Sequence, residues 1–209
     1  MSLRHALLAL LSAGPATGYD AAKRFSGSVG HVWSAPDSQI YPELKRMQGD
    51  GLVESSAVRW GPRSTKTQYT ITDAGLEELI DWAGRALPYS PPRDTHHLQA
   101  AYLEWTDAAG ARRFFEDHIA HHTEQRQLLL AVHAGIVART DPMIMRRLSR
   151  FPDSDHERIV AFKAHTYAGM VARSEAEIAW AREGLAMLDS LATDGGVGGG
   201  AAGGNSSIP

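Results

Sequence analysis

The chain has 209 residues, a formal net charge of −3 at pH 7 and no cysteine. Its length provides for one medium domain or two small domains with real cores, and the missing cysteines exclude a disulfide framework, a zinc–thiolate site and thiol catalysis. Bulk charge, being nearly balanced, does not by itself indicate a nucleic-acid-binding protein.

Two short helices are predicted at the N-terminus. Residues 2–12 carry leucines on one helical face, and Gly14-Pro15 ends this helix. Thr17 is a suitable N-cap for a second helix through Phe25, with Asp20 in the position of the acidic partner of a capping box. The first apolar segment is short and leads directly into structured sequence, so it is interpreted as a domain helix and not as a signal peptide.

A third helix is predicted from Ser38 onward. Its apolar residues Ile40, Leu44 and Met47 recur at i, i+4 and i+7, which gives one core-facing stripe and leaves the opposite face polar. Pro42 is expected in about the first turn, where proline costs little. Gly51 follows as a candidate C-cap.

A β-hairpin with a basic tip is predicted after this helix. Extended runs lead into and out of residues 59–66, which hold Arg59, Arg63 and Lys66. No acidic residue occurs between Glu54 and Asp73. A basic hairpin beside a helix with a polar outer face is typical of a winged helix, whose helix enters a major groove while the wing contacts phosphates.

A fourth helix and a Pro-rich joint complete the first half. Thr72 is the expected N-cap of this helix, whose inward residues are predicted to be Leu76, Leu79, Ile80, Ala83 and Leu87. Residues 88–92 form the predicted linker. The sequence therefore predicts a mainly α protein, with a winged helix-turn-helix of three helices and a hairpin wing at 1–87 and a helical domain with long helices at 93–192.

The last predicted helix, from about Asp155 to Leu191, has a heptad seam. Its apolar residues alternate at spacings of four and three over four repeats, which indicates packing against another long helix. A second subunit is the favoured partner, and packing within the subunit is the alternative. The predicted dimer-interface residues are Val160, Tyr167, Val171, Ile178, Leu185 and Leu188. Residues 193–209, nearly all Gly, Ala and Ser, are predicted to be a disordered tail.

Several spaced motifs resemble one regulator family. The run from Gln39 to Met47, then Gly51-Leu52-Val53, then Tyr69-Thr70-Ile71-Thr72 and Gly75, is similar to the PadR-type transcriptional regulators. The second half is similar to the virulence-activator type of helical extension found in longer members. The resemblance implies a homodimer held by the C-terminal helices, double-stranded DNA as partner, and release by a small aromatic or drug-like effector.

The candidate DNA-contacting residues lie on the second helix, the third helix and the wing. Their polar or cationic side chains suit contacts with phosphates and base edges, although a solvated helix face would look the same in isolation. They are Tyr19, Lys23, Ser38, Gln39, Tyr41, Pro42, Lys45, Arg46, Arg59, Arg63 and Lys66. Tyr69 is interpreted as mainly structural.

Aromatic residues of the second half are the candidate effector site. Flat rings between helices bind flat apolar ligands, but large aromatics at helical spacing more often fill interiors. The candidates are Tyr102, Trp105, Phe162, Tyr167 and Trp180.

A histidine cluster and the absence of catalytic motifs bear on enzymatic function. His118 and His122 are one helical turn apart beside His121, a spacing that can bind a metal, but packing or interface roles are favoured and no metal is predicted. The sequence has no GxSxG motif, P-loop or strand-associated GxGxxG motif, so no enzyme, catalytic residue or cofactor is predicted.

The combined interpretation is a transcriptional regulator, a repressor in preference to an activator, that binds a near-palindromic operator as a homodimer. A protein-interaction adaptor whose winged helix no longer binds DNA is the alternative. No run of apolar residues is predicted to be long enough to span a bilayer, so a cytoplasmic protein without membrane contact is expected.

Overall fold

The chain crosses three times between two units. The computed structural model describes residues 3–26, 35–60, 63–89, 91 and 93–196. One unit comprises Met1–Ser90 and Ile136–Phe162, and the other comprises Pro91–Gly135 and Lys163–Pro209. The first crossing falls inside the predicted linker at 88–92, but the assignment of residues 136–162 differs from the predicted helical domain at 93–192.

Four helices and a small sheet form the N-terminal part of the first unit. The helices are α1 (Leu3–Leu11), α2 (Gly18–Ser26), α3 (Asp37–Gly49) and α4 (Asp73–Gly84). The predicted N-caps are present, because the backbone N–H of Asp20 donates to Thr17 Oγ1 at 3.1 Å and that of Gly75 donates to Thr72 Oγ1 at 3.1 Å. Each cap satisfies a backbone donor that the first helical turn leaves unpaired.

The sheet has the strand order β1-β3-β2 and is antiparallel. Strand β1 is Ala16–Thr17, β2 is Val53–Trp60 and β3 is Ser64–Ile71. The β2–β3 hairpin pairs Val53 with Ile71 at its base and Trp60 with Ser64 at its far end. Gly51, at φ 75, provides the left-handed residue that the chain requires between α3 and β2.

The core of this part confirms the predicted orientation of α3. Ile40, Leu44 and Met47 are all 0% exposed and pack in one cluster with α1, α2 and the sheet. Complete burial of such side chains contributes about 1.5–3 kcal/mol each. The polar residues on the other side of α3 are consequently fixed outward.

The prediction for α4 was only partly correct. Leu79 packs against the core, but Leu76 and Ile80 are exposed, and Leu87 lies beyond the helix end at Gly84. Gly75 explains the close approach of the helix start, since a Cβ atom there would lie 2.1 Å from the carbonyl oxygen of Leu52. The helix therefore buries a narrower face than its apolar residues predicted.

The short helix α7 (Pro142–Leu148) explains why residues 136–162 belong to the first unit. Asp141 caps it by accepting hydrogen bonds from the backbone N–H groups of Met143 and Ile144. Arg147 Nη1 donates to Ser12 Oγ at 3.0 Å, just after α1. This long-range contact spans 135 positions of sequence, and local periodicity did not indicate it.

The second unit consists of α5 (Thr95–Ala100), a 3₁₀ turn at Leu103–Trp105, and most of α6 (Ala108–Val137) and α8 (Asp153–Gly196). Helices α6 and α8 run antiparallel, because Arg112 pairs with Asp189 whereas Arg126 pairs with Glu175. Helix α8 continues to Gly196, so residues 193–196 of the predicted tail are helical, and the remainder of that tail lies outside the described residues.

The heptad seam of α8 is already buried within one chain. Val160, Tyr167, Val171 and Ile178 are at most 9% exposed, and Leu185 and Leu188 are half-buried. Val160, Tyr167, Val171 and Ile178 therefore have little surface left for a partner subunit, whereas Leu185 and Leu188 keep part of theirs. Their burial within one chain fits the alternative of packing within the subunit, and the dimer interface itself stays a prediction. Periodicity identified the buried face but not what covers it.

Residues 108–148 include an apolar stretch with little burial. An 18-residue window there has a mean hydropathy of 1.3, and 17% of the window is buried. By length and composition this segment is able to cross a membrane, so the expectation that no such run exists was wrong. One helix of this kind is weak evidence for a membrane, because helices of soluble proteins pass the same test.

Candidate nucleic-acid interface and second-unit cavity

The outer face of α3 presents a row of exposed polar side chains. All six candidates on this helix are exposed, and they share the face opposite the buried stripe: Ser38, Gln39, Tyr41, Pro42, Lys45 and Arg46. Because α3 begins at Asp37, Pro42 lies in the second turn and not in the first. Proline has no backbone N–H, so the carbonyl oxygen of Ser38, four residues earlier, lacks its usual intrahelical hydrogen-bond donor.

Tyr41 is positioned by a glycine of the neighbouring helix. A Cβ atom at Gly18 would lie 2.5 Å from Tyr41 Cε1, so only glycine lets the ring lie against the start of α2. Tyr69 is 6% exposed in the sheet, and its burial, followed by the nearby Tyr41, raises the pKa of its hydroxyl. These positions fit the interpretation of Tyr69 as structural, whereas Tyr41 is 43% exposed.

The wing is connected to α2 through a cation and two aromatic rings. The Nζ atom of Lys66 lies 3.4 Å from the centroid of the Trp60 ring and 5.0 Å from that of Tyr19. Both rings are about half exposed, where a cation–π contact contributes about 0.5–1 kcal/mol. Sequence reasoning did not select Trp60. The pairing register of the β2–β3 hairpin is the feature that indicates this contact. Val58 pairs with Lys66, which places Trp60 diagonally across the hairpin from Lys66.

Arg46 takes part in an ion-pair network that sequence reasoning missed. Its Nη1 donates to Oε2 of Glu43, which is 7% exposed, and Arg4 Nε donates to Oε1 of the same carboxylate at 3.2 Å. Arg4 also donates to Asp50 at 2.6 Å. Arg46 therefore has a structural partner as well as an exposed guanidinium, and an acid buried on α3 was not expected from the helical pattern.

The remaining candidates are exposed cations on separate elements. Lys23 is on α2, Lys45 is on α3, and Arg59 and Arg63 flank the wing tip. Among the ion pairs of the described residues, none involves Lys45, Arg59 or Arg63. Of the three residues between the two wing arginines, Trp60 is described, and Gly61 and Pro62 lie outside the described part of the chain. The geometry thus places cations on α2, α3 and the wing.

The second unit contains a cavity of about 670 Å³ beside the histidine cluster. Its lining residues come from α5 and α6 and are His96, Gln99, Gly110, Arg113, Phe114, Asp117, His118, His121 and His122. Burial, and then the neighbouring His118, lower the pKa of His122 below its usual value, although Glu177 opposes this shift.

None of the five predicted effector residues lines this cavity. Tyr102, Trp105 and Phe162 are exposed, Trp105 to 85%, whereas Tyr167 is buried. Trp180 is half-buried and stacks on His97 with ring centroids 4.1 Å apart. The structure therefore does not bring the five predicted aromatics together in one pocket. Helical spacing along the sequence did not indicate which of these side chains are exposed and which are buried.

Comparison with known proteins identifies the family. The Transcriptional regulator PadR-like family matches residues 7–81. Over 188 residues the chain is 31% identical to the negative transcriptional regulator PadR of Bacillus subtilis (strain 168), which covers 90% of this chain and 97% of that protein. The chain belongs to the PadR-like family of transcriptional regulators.

Solved structures of PadR-like regulators have the same fold. Bacillus subtilis PadR in complex with operator DNA matches with a TM-score of 0.69 at 27% identity, covering 89% of this chain and 98% of that one. The same protein in complex with p-coumaric acid gives 0.65 at 28% identity, covering 90% and 95%. The Vibrio cholerae virulence activator AphA gives 0.64 at 26% identity, covering 91% and 99%.

These matches confirm three predictions: the family resemblance, the mainly helical winged-helix fold with long C-terminal helices, and the similarity of the second half to a virulence activator. This PadR-like regulator is accordingly a transcription factor and not an enzyme.

Proposed function

We propose that this PadR-like regulator represses transcription by binding a near-palindromic operator as a homodimer. The observation that carries the proposal is the combination of an exposed polar α3 face with a basic wing beside it. A helix of this kind reads base edges in a major groove, while wing cations neutralise phosphates and fix the register. Gln39 and Lys45 are the proposed contacts on α3, and Arg59 and Arg63 are the proposed phosphate contacts on the wing.

One relative supports both the repressor assignment and the DNA partner. Bacillus subtilis PadR is a negative transcriptional regulator, and its structure contains operator DNA. Because the proposed partner is DNA, we also propose that this protein is located in the cytoplasm.

The dimer contact is proposed on apolar surface that the single chain leaves exposed. On α6, Leu128 and Leu130 are about 40% exposed, within the poorly buried apolar stretch. On α8, Met187 and Leu191 are more than half exposed. Apolar side chains left exposed on long helices are candidates for an interface, so we propose these residues, in place of the buried seam, as dimer contacts.

A small aromatic effector is proposed to release the protein from DNA. The support is the complex of Bacillus subtilis PadR with p-coumaric acid. We place such a ligand at the second-unit cavity in preference to the five aromatics predicted from sequence, because Phe114 offers a ring and Arg113 offers a cation in the same cavity wall.

A binding selection tests the proposed function against the adaptor alternative. Purified full-length protein is used to select duplexes from a random library, and fluorescence anisotropy then compares the selected duplex with a scrambled one. Repression from an operator requires the selected duplex to bind at least about 10³-fold more tightly at physiological salt. The selected sequences should also contain inverted half-sites about one helical turn apart. Selection without enrichment, together with equal affinity for both duplexes, would support the adaptor instead.

A further inference from the structure

Three potential metal ligands converge between α6 and α8 in the second unit. His118 and His122 lie one turn apart on α6, and Glu177 faces them from α8. The three ligand atoms lie within 4.8 Å of one another, and His118 Nε2 is 3.1 Å from Glu177 Oε2. We infer that these side chains form a binding site for a divalent transition-metal ion, with Zn²⁺ as the best fit.

The spacing is close to that of a tetrahedral site. Ligand atoms about 2.0–2.2 Å from Zn²⁺ lie about 3.3–3.6 Å from one another. The His118–Glu177 distance already has this scale, and the largest separation needs to shrink by roughly 1 Å. His122 is half-buried, and we expect changes in side-chain torsions to close this gap.

The donor atoms select the class of ion. Two imidazole nitrogens and one carboxylate oxygen suit Zn²⁺, Ni²⁺, Co²⁺ and Cu²⁺, whereas Mg²⁺ and Ca²⁺ prefer oxygen ligands alone. The chain has no cysteine, so soft thiolate sites are excluded. Three protein ligands leave a fourth position open, as in zinc sites that bind water or an exogenous ligand.

Neighbouring side chains support the ligands from outside. His97 Nδ1 is 2.8 Å from a carboxylate oxygen of Asp94, and its Nε2 is 3.9 Å from Glu177 Oε2. Trp180 stacks on His97 and meets His118 edge-on, with centroids 4.1 and 5.2 Å apart. The Trp180 ring packs against the proposed ligand His118 and restricts its movement, and the His97–Asp94 pair lies one contact further out.

A simple hydrogen bond does not account for the whole arrangement. Contact between His118 and Glu177 explains those two residues, but it gives no role to His122, whose ring centroid lies 4.4 Å from that of His118. A metal ion uses all three. Because the ligands come from both long helices, the ion also joins α6 to α8 across the cavity wall.

The inference of metal binding rests on this geometry alone. We also expect the bound ion to alter operator affinity, because it joins the two long helices, and this second expectation rests on the proposed function. The two are measured separately. Metal-stripped full-length protein is titrated with Co²⁺, whose visible absorption is intense at a four-coordinate site and weak at a six-coordinate one, and Zn²⁺ is then added as a competitor. Anisotropy with the selected duplex, with and without Zn²⁺, forms the second arm.

Two variants and one matched control decide the assignment. His122→Gln and Glu177→Gln should each weaken Co²⁺ binding more than tenfold, since even the loss of an outer-shell group costs about 10–100-fold. His121→Gln, one position away on the same helix and in the same cavity, should bind as wild type does. Circular dichroism checks folding, and Zn²⁺ should raise the unfolding temperature of wild type and of His121→Gln but not of His122→Gln.

The inference is overturned if folded wild-type protein gives no intense Co²⁺ spectrum, or if His121→Gln loses the metal as His122→Gln does. If the metal-loaded protein has the same DNA affinity as the metal-free protein, the metal site stands and an effect of the ion on operator binding is refuted. A protein that binds metal but selects no DNA would retain the site and refute the proposed function.

Discussion

The two wing arginines should control how strongly salt weakens operator binding. Arg59 and Arg63 are exposed and take part in no ion pair among the described residues, so both are available to phosphates. Lys66 differs because it already contacts Trp60. We therefore expect the double variant Arg59→Ala/Arg63→Ala to lose two phosphate contacts in each subunit.

The magnitude follows from counterion release. Each phosphate contact contributes about 0.9 to the slope of log affinity against log salt concentration, so four contacts in a dimer contribute about 3.6. When the salt concentration rises fourfold, the factor by which operator affinity falls should consequently be about 150 times smaller for the variant than for wild type. The assay is fluorescence anisotropy with the selected duplex over a range of salt concentrations.

A matched control separates local contacts from overall charge. Arg173 and Arg182 are exposed arginines of the second unit, and replacing both with alanine removes the same charge without touching the wing. That control should keep the wild-type slope. A wing variant with the wild-type slope, or a control variant with an equally reduced slope, would contradict the assignment of phosphate contacts to the wing.

Four further substitutions test the packing that positions these surfaces and the proposed dimer contact. Gly18→Ala places a methyl group where the Tyr41 ring lies, so operator affinity should fall at least about tenfold while the circular dichroism spectrum stays unchanged. Wild-type operator affinity in this variant would show that the position of the ring is unimportant for DNA binding. Glu43→Gln removes the charge shared by two arginines and should lower the free energy of unfolding by about 1–2 kcal/mol in urea, discounted because both arginines are partly exposed. Ile178→Glu buries a charge in the seam and should destabilise the folded subunit by several kcal/mol. Leu128→Glu should leave the subunit folded and shift its sedimentation towards that of a monomer. A folded monomer from Ile178→Glu, together with a dimer from Leu128→Glu, would restore the seam as the dimer contact.

The orientation of α3 was predictable because it depends on local periodicity. Ile40, Leu44 and Met47 share a face through the geometry of one helix, and their complete burial confirms it. The caps at Thr17 and Thr72 were predictable for the same reason, since the backbone N–H that donates to each cap is only three residues further along the chain.

Features that depend on distant residues were not predictable from one sequence. The heptad pattern showed that Val171 faces another helix, but periodicity is the same whether that helix is α6 or a partner's helix. Glu177 is 59 positions from His118, and only the antiparallel packing of α6 and α8 brings them together. The burial of Glu43 depends likewise on α1, which supplies Arg4.

The three crossings between the two units limit how this protein can be shortened or recombined. A chain cut at the Pro-rich linker would separate residues 1–90 from Ile136–Phe162, although these segments form one unit. The isolated N-terminal piece would lose the contact of Arg147 with Ser12 and expose the surface that α7 covers. A gene fusion made at the linker would therefore transfer an incomplete unit, and a complete one requires residues 136–162 as well.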